Sequence, residues 1–168
     1  SRLIGELHGE ETKGEIRAGN TTDTALITAL LDNDAHDSLE DTIAELLPRL
    51  RGAFSLVFMD EHTLYAARDP WGVRPLVLGR LERGWVVASE QAALATVGAS
   101  VIREIKPGEM VAIDANGVRT RRFAKKQRAG CVFEYVYLAR PDATIKGRNV
   151  YESRVEMGRV LARENTAE

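Results

Sequence analysis

The chain has 168 residues, 44% hydrophobic and 29% charged, with 23 basic against 25 acidic residues and a formal net charge of −2. That size suits one domain able to bury roughly 70% of its unfolded surface, and the near-neutral balance excludes a global field drawing it to nucleic acid or an anionic membrane. No apolar run approaches the roughly 18 residues of a membrane span, the opening SRLIGELHGEE lacks the apolar core of a signal peptide, and the single cysteine excludes an internal disulfide framework and suits a reducing cytosol.

In chain order, Ser1 can cap a short helix through His8, Gly9 to Gly14 reads as a loop, and Glu15 to Ala18 as a brief strand. Ala25, Leu26, Ala29 and Leu30 form a helical stripe, with Thr22 or Asp23 near its N-cap; the acidic Asp32 to Asp37 breaks it. Ser38 and Asp41 stand in capping-box relation before a second stripe of Ile43, Leu46, Leu47 and Leu50, which Pro48 kinks or stops.

Phe54, Leu56 and Phe58 then alternate with Ala53, Ser55 and Val57, the pattern of a strand with one apolar face. Asp60 to His62 suits a tight turn, and Thr63 to Ala67 completes a hairpin. The second strand runs into RDPWGVRP, where Pro70 and Pro75 fix φ and Gly72 allows a positive φ. This is a shaped loop on a rigid strand, a common way to build a site. Leu76 to Leu81 and Trp85 to Ala88 form a second antiparallel pair. Ser89 is placed to cap a helix from Glu90 to Val97 that ends at Gly98. Val101 to Ile105, a Pro107–Gly108 turn, Met110 to Ile113, an Asn116–Gly117 turn and Val118 to Phe123 are expected to extend the meander. Cys131 to Ala139 is nearly continuous in apolar and aromatic residues, predicting a strand buried on both faces. Asn149 to Glu164 reads as an amphipathic helix with Val150, Val155, Val160 and Leu161 among its apolar positions. Helices followed by many antiparallel strands predict an α+β fold.

The candidates for chemistry each carry a plainer reading. Asp23, at a helix start, can be a first-turn carboxylate complementing the macrodipole. Arg68, Asp69 and Arg74 can hold their loop as an ion-pair network or contact a ligand. Cys131 can be a small buried hydrophobe. The basic run Arg119, Arg121, Arg122, Lys125, Lys126 and Arg128 reads as a solvated strand edge guarded by charge, since no aromatic interleaves it as a stacking platform needs. His8, His36 and His62 show no metal-ligand spacing, and Gly79 with Gly84 fails as a phosphate loop because Trp85 follows where lysine is required.

GAFS with RDPWGVRPL and then Val87-Ala88-Ser89-Glu90 resembles class II glutamine amidotransferases, a group that includes asparagine synthetases. CVFEYVYLARPD, with Val150-Tyr151 and Arg154 through Gly158, narrows the likeness to the amidophosphoribosyltransferase family. The resemblance runs from Thr22 to about Gly158. It implies the αββα sandwich of N-terminal-nucleophile hydrolases, incomplete at its N-terminus. It also implies a cytoplasmic, homo-oligomeric enzyme of purine biosynthesis that releases ammonia from glutamine and transfers it to phosphoribosyl pyrophosphate with Mg²⁺. Residues 1–140 would be part of the glutamine domain and 141–168 the start of the connection to a phosphoribosyltransferase domain.

By this likeness Thr22-Asp23-Thr24 matches the motif whose aspartate grips the α-amino group of glutamine. The family commonly has glutamate two residues further on, where this chain has Ala25. The resemblance keeps the loop of Arg68, Asp69 and Arg74 close to the glutamine site without assigning any of them a step. Cys131 would match one of four ligands to a [4Fe-4S] cluster in iron–sulfur members, yet a chain with one cysteine cannot complete a four-cysteine site alone. The family's nucleophilic cysteine is expected before Ser1, so the 168 residues alone are expected to be inactive. The readings from outside that family are an asparagine-synthetase-like amidotransferase and an inert module that only binds or scaffolds.

Overall fold

The computed structural model describes residues 22–33, 38–127 and 130–165. The helix and strand expected before Thr22, the break at 34–37 and Arg128 lie outside the described residues. Contacts divide the chain into two units, Ser1–Arg51 and Gly52–Glu168.

In the first unit, α1 spans Asp23–Asn33. Thr22 supplies the cap: its Oγ1 accepts from the Ala25 amide at 3.2 Å and its carbonyl from Leu26. Asp23 is therefore the first helical residue, and it is exposed. Helix α2, Leu39–Leu46, starts as the capping pattern predicts, with Ser38 Oγ accepting from the Asp41 amide and its hydroxyl donating to the Asp41 carboxylate. Pro48 stops it in a single 3₁₀ turn, Leu47–Arg49.

The second unit is built on two antiparallel sheets. Strands β1 (Ser55–Met59), β2 (Leu64–Arg68), β6 (Glu109–Asp114) and β7 (Gly117–Arg122) make one sheet in the order β1-β2-β6-β7. Strands β3 (Val77–Leu81), β4 (Gly84–Ala88) and β5 (Ser100–Glu104) make the other, in the order β4-β3-β5. The period of two decides what lies between them. Ala66, Val111 and Ile113 from the first sheet meet Leu76, Leu78 and Ile105, with Trp85 and Val87 packed alongside. The alternate residues Val77, Val86 and Ala88 face the other way, onto Leu94 of helix α3 (Gln91–Thr96). Two sheets face to face with helix on the outer face of one is an α+β sandwich.

Four expectations need correction. The Pro107–Gly108 turn does not close a hairpin. It carries the chain from β5 in one sheet to β6 in the other, so the strands form two packed sheets and no single meander. Ser89 does not cap α3; the helix begins one residue later, behind Glu90, which makes no side-chain cap bond.

The Cys131–Ala139 run is not a strand but a π-helical turn, Glu134–Leu138. The reason sits in helix α4, Val150–Glu164, where Arg154 donates from Nε to the Tyr135 carbonyl and from Nη2 to the Ala139 carbonyl, both at 2.7 Å. A helical turn leaves its last carbonyls unpaired; a guanidinium that takes two of them holds the turn closed. Its apolar residues are mostly outside, with Val132 67% and Tyr137 73% exposed. Finally, α4 buries Val150 fully, yet Val160 and Leu161 are exposed. Asn149 caps this helix, accepting from the Glu152 amide at 3.1 Å.

Gly108 tests the sheet-to-sheet crossing. Its φ is +72°, its amide is shared by the Arg68 and Asp69 carbonyls, and a Cβ here would strike the Ala124 carbonyl oxygen. Gly108→Ala should therefore cost at least about 2 kcal/mol in urea unfolding. Gly158→Ala, in open space on α4, should stabilise by about 0.5–1 kcal/mol. Equal midpoints for the two variants would contradict this account of the crossing.

Candidate functional site

The loop after β2 begins with two fully buried charged side chains, Arg68 at 1% exposure and Asp69 at 0%. The five N–H groups of a guanidinium are costly to bury unpaired, and Arg68 places its nitrogens accordingly. Nε donates to the Arg74 carbonyl at 2.8 Å, Nη2 to Gly72 at 3.2 Å, and Nη1 to Ile105 at 2.8 Å. Nη1 also meets Glu104 Oε2 at 3.1 Å. The Asp69 carboxylate works on the same loop from the other side: Oδ1 accepts from the Trp71 and Gly72 amides and Oδ2 from Val73. One cation satisfies the loop's carbonyls and one anion its amides.

Arg74 is different, half-exposed, with its Nη1 2.8 Å from Glu134 Oε1 on the π-helical turn. The charges are in contact, but the angle leaves that buried oxygen without a hydrogen bond. Glu104 and Glu134, which anchor this loop from outside, were not legible in sequence. They lie 36 and 60 residues from the arginines they meet, and no local pattern marks them.

Cys131 comes up against the same loop. It lines a crevice with Arg68, Gly72, Val73 and Glu134 and is half-buried. Beside it Tyr135 donates its hydroxyl to the Ile145 carbonyl at 3.0 Å, and burial raises its phenol above the usual value. The structure thus brings Arg68, Asp69, Arg74 and Cys131 together in the second unit, while Asp23 opens α1 in the first. Of the basic run, Arg119, Arg121 and Arg122 lie exposed on β7, an edge strand, with Arg119 paired to Asp114. Among the described residues no three His, Cys, Asp or Glu side chains group as a metal site, and no helix is long and apolar enough to cross a membrane.

Removing the Asp69 carboxylate would leave three backbone donors unpaired in a buried loop. Asp69→Ala should cost at least about 3 kcal/mol, and Asp69→Asn, which keeps the Oδ1 acceptor, clearly less. A melting temperature unchanged in Asp69→Ala would show that the loop does not depend on it.

A family model described as a glutamine amidotransferase domain matches residues 4–96. Amidophosphoribosyltransferase of Mycobacterium tuberculosis is 66% identical over 145 residues, covering 86% of this chain and 28% of that protein. The Bacillus subtilis amidophosphoribosyltransferase is 39% identical over 149 residues, covering 88% of this chain and 31% of its own. Among solved structures, a glutamine phosphoribosylpyrophosphate amidotransferase from B. subtilis complexed with ADP and GMP matches with a TM-score of 0.87. Its identity is 36%, over 99% of this chain and 36% of that one. The chain therefore spans less than a third of the curated relatives it matches. By the family model and the shared fold, this chain belongs to the glutamine amidotransferase domain family.

Proposed function

We propose that the chain is the glutamine-handling part of an amidophosphoribosyltransferase, which takes ammonia from glutamine and places it on phosphoribosyl pyrophosphate, the opening step of purine biosynthesis. The observation that carries this reading is the 66% identity over 145 residues to a relative of that name. That likeness covers 86% of this chain, well past residues 4–96 matched by the family model. Residues 1–140 would belong to the glutamine domain and 141–168 to the connection onward. The protein would work as a homo-oligomer in the cytoplasm.

In this reading an N-terminal cysteine thiolate attacks the side-chain amide of glutamine, its own α-amine serving as base. Cys131, the single cysteine here, is internal and cannot play that part. Ammonia then passes along a water-excluding path to the phosphoribosyl site, where Mg²⁺ would neutralise pyrophosphate charge; no cluster of ligands for it occurs among the described residues. A [4Fe-4S] cluster is not accommodated by these residues alone, since Cys131 offers one of the four thiolates needed. If partners elsewhere in the protein complete the set, Cys131→Ser in the full-length protein bleaches the iron–sulfur absorbance. An unchanged spectrum with iron still bound removes Cys131 from the ligand set.

Asp23 is assigned to the ammonium group of glutamine. Its exposure at the first turn of α1 and the capping of that helix by Thr22 support this, because the helix does not need Asp23 as its cap. Asp23→Ala in the full-length enzyme should weaken glutamine use by about 2–5 kcal/mol, roughly thirty-fold or more. Synthesis of phosphoribosylamine from added ammonia should be nearly intact, because free ammonia bypasses the glutamine site. Equal loss of both activities, alongside a lowered melting temperature, would return Asp23 to a structural role.

A further inference from the structure

The hairpin that joins β6 to β7 turns through Ala115 and Asn116, between the paired Asp114 and Gly117. Both turn residues are exposed. Of the five asparagines in the sequence, Asn116 alone precedes a glycine. That order has chemical weight, because the backbone nitrogen after an asparagine can attack the asparagine's own side chain. A side chain on the attacking residue crowds the approach, and Gly117 has none. Its φ is +116°, and a Cβ built on it would meet nothing within 4 Å, so the space beside it is open.

The other described asparagines are tied down. Asn149 uses its side-chain oxygen to cap α4, accepting from the Glu152 amide at 3.1 Å. The next amide, on the fully buried Val150, donates to the Ala143 carbonyl at 3.0 Å. Asn165 donates from Nδ2 to the Leu161 carbonyl at 3.3 Å and precedes the β-branched Thr166. At Asn116 the backbone amide donates to Asp114 Oδ1 at 2.7 Å, and the carboxamide hydrogen-bonds the same exposed-side carboxylate, a contact that water can replace. Gly117 opens β7, the edge strand of its sheet, so the last pair of the hairpin can open locally without disturbing the core.

We infer that Asn116 is a site of spontaneous covalent modification, deamidation through a cyclic imide formed with Gly117. The Gly117 nitrogen gives up its proton and bonds to Cγ of Asn116. The Cγ–Nδ2 bond then breaks, and ammonia leaves carrying that proton. Water opens the ring in either of two ways. Attack at Cγ restores the normal main chain and leaves aspartate; attack at the backbone carbonyl carbon leaves the chain running through the side chain, as isoaspartate. The net change is amide and water to carboxylic acid and ammonia, with no oxidant or reductant. The inference does not rest on the glutamine reading.

Either product places a second carboxylate beside Asp114, where the two compete for Arg119 and repel each other. Isoaspartate also adds a methylene to the main chain of the turn, which the pairing of Asp114 with Gly117 does not accommodate. β7 therefore loosens from its tip, and with it Thr120, whose hydroxyl accepts from Arg103 Nη2 at 3.3 Å.

The full-length protein, incubated at mildly alkaline pH and mapped by peptide mass spectrometry, should convert Asn116 at least about tenfold faster than Asn149 or Asn165. Isoaspartate should appear beside aspartate, since direct hydrolysis of the carboxamide gives aspartate alone. Asn116→Gln, an exposed substitution whose ring would be larger and slower to form, should stay unmodified at that position. After conversion, hydrogen exchange should rise across residues 117–122 and stay unchanged in β2. Equal rates at the three asparagines, or aspartate without isoaspartate, would overturn the inference. Unchanged exchange across 117–122 in the isoaspartate form would overturn its consequence for β7.

Discussion

The loop on which this unit is organised exists because Arg68 can be buried. A guanidinium without partners would cost several kcal/mol to bring inside. Here the backbone carbonyls of Gly72, Arg74 and Ile105 and the Glu104 carboxylate receive it. Arg68 ends β2 of one sheet and its acceptor Glu104 ends β5 of the other, so the side chain reaches from sheet to sheet. The side chain thus fixes the loop's shape and ties the two sheets at the same edge. Asp69 completes the arrangement by accepting three amides, and Gly72 fits because a Cβ there would meet Pro107 at 2.5 Å.

Everything near the loop inherits this rigidity. Trp71 is positioned by it, Cys131 packs into the crevice behind it, and Arg74 reaches from it to the buried Glu134. The π-helical turn that carries Glu134 is held in turn by Arg154 from α4. Two arginines far apart in sequence, the buried Arg68 and the half-buried Arg154, therefore hold adjacent pieces of one surface. Each works by accepting the geometry of backbone carbonyls, which a lysine's single ammonium group could not match.

Much of this was legible in the residues. The hairpin of β1 and β2, the β3–β4 pair, the capping of α2 by Ser38, and the stop at Pro48 follow from alternation, turn residues and caps, all of them local. What failed was non-local. The Cys131–Ala139 run carries strand-like composition, but its conformation is decided by Arg154 some twenty residues later. The Pro107–Gly108 turn looks like any hairpin turn; only the core between Leu78 and Val111 shows that it joins two sheets. At the site, the charged loop was visible as a loop, while whether Arg68 and Asp69 bind a ligand or hold the backbone depended on Glu104 and on amides that sequence cannot place. The outward face of the π-helical turn was missed for the same reason.

The strand order has a consequence for how the chain reaches this state. β2 must wait for β6, since Tyr65 pairs with Ala112, and the whole of the second sheet is threaded between them. The two hairpins of the first sheet, β1–β2 and β6–β7, can form early from local contacts, but joining them requires closing a long loop, and such contacts slow folding. During synthesis, the β2 edge emerges well before its partner does and carries Tyr65, Ala66 and Ala67 with unpaired backbone groups. An open edge of this kind can recruit strands from neighbouring chains. Overproduction at low temperature, where initiation is slow and nascent chains are sparse, would favour the intended partner over the accidental one.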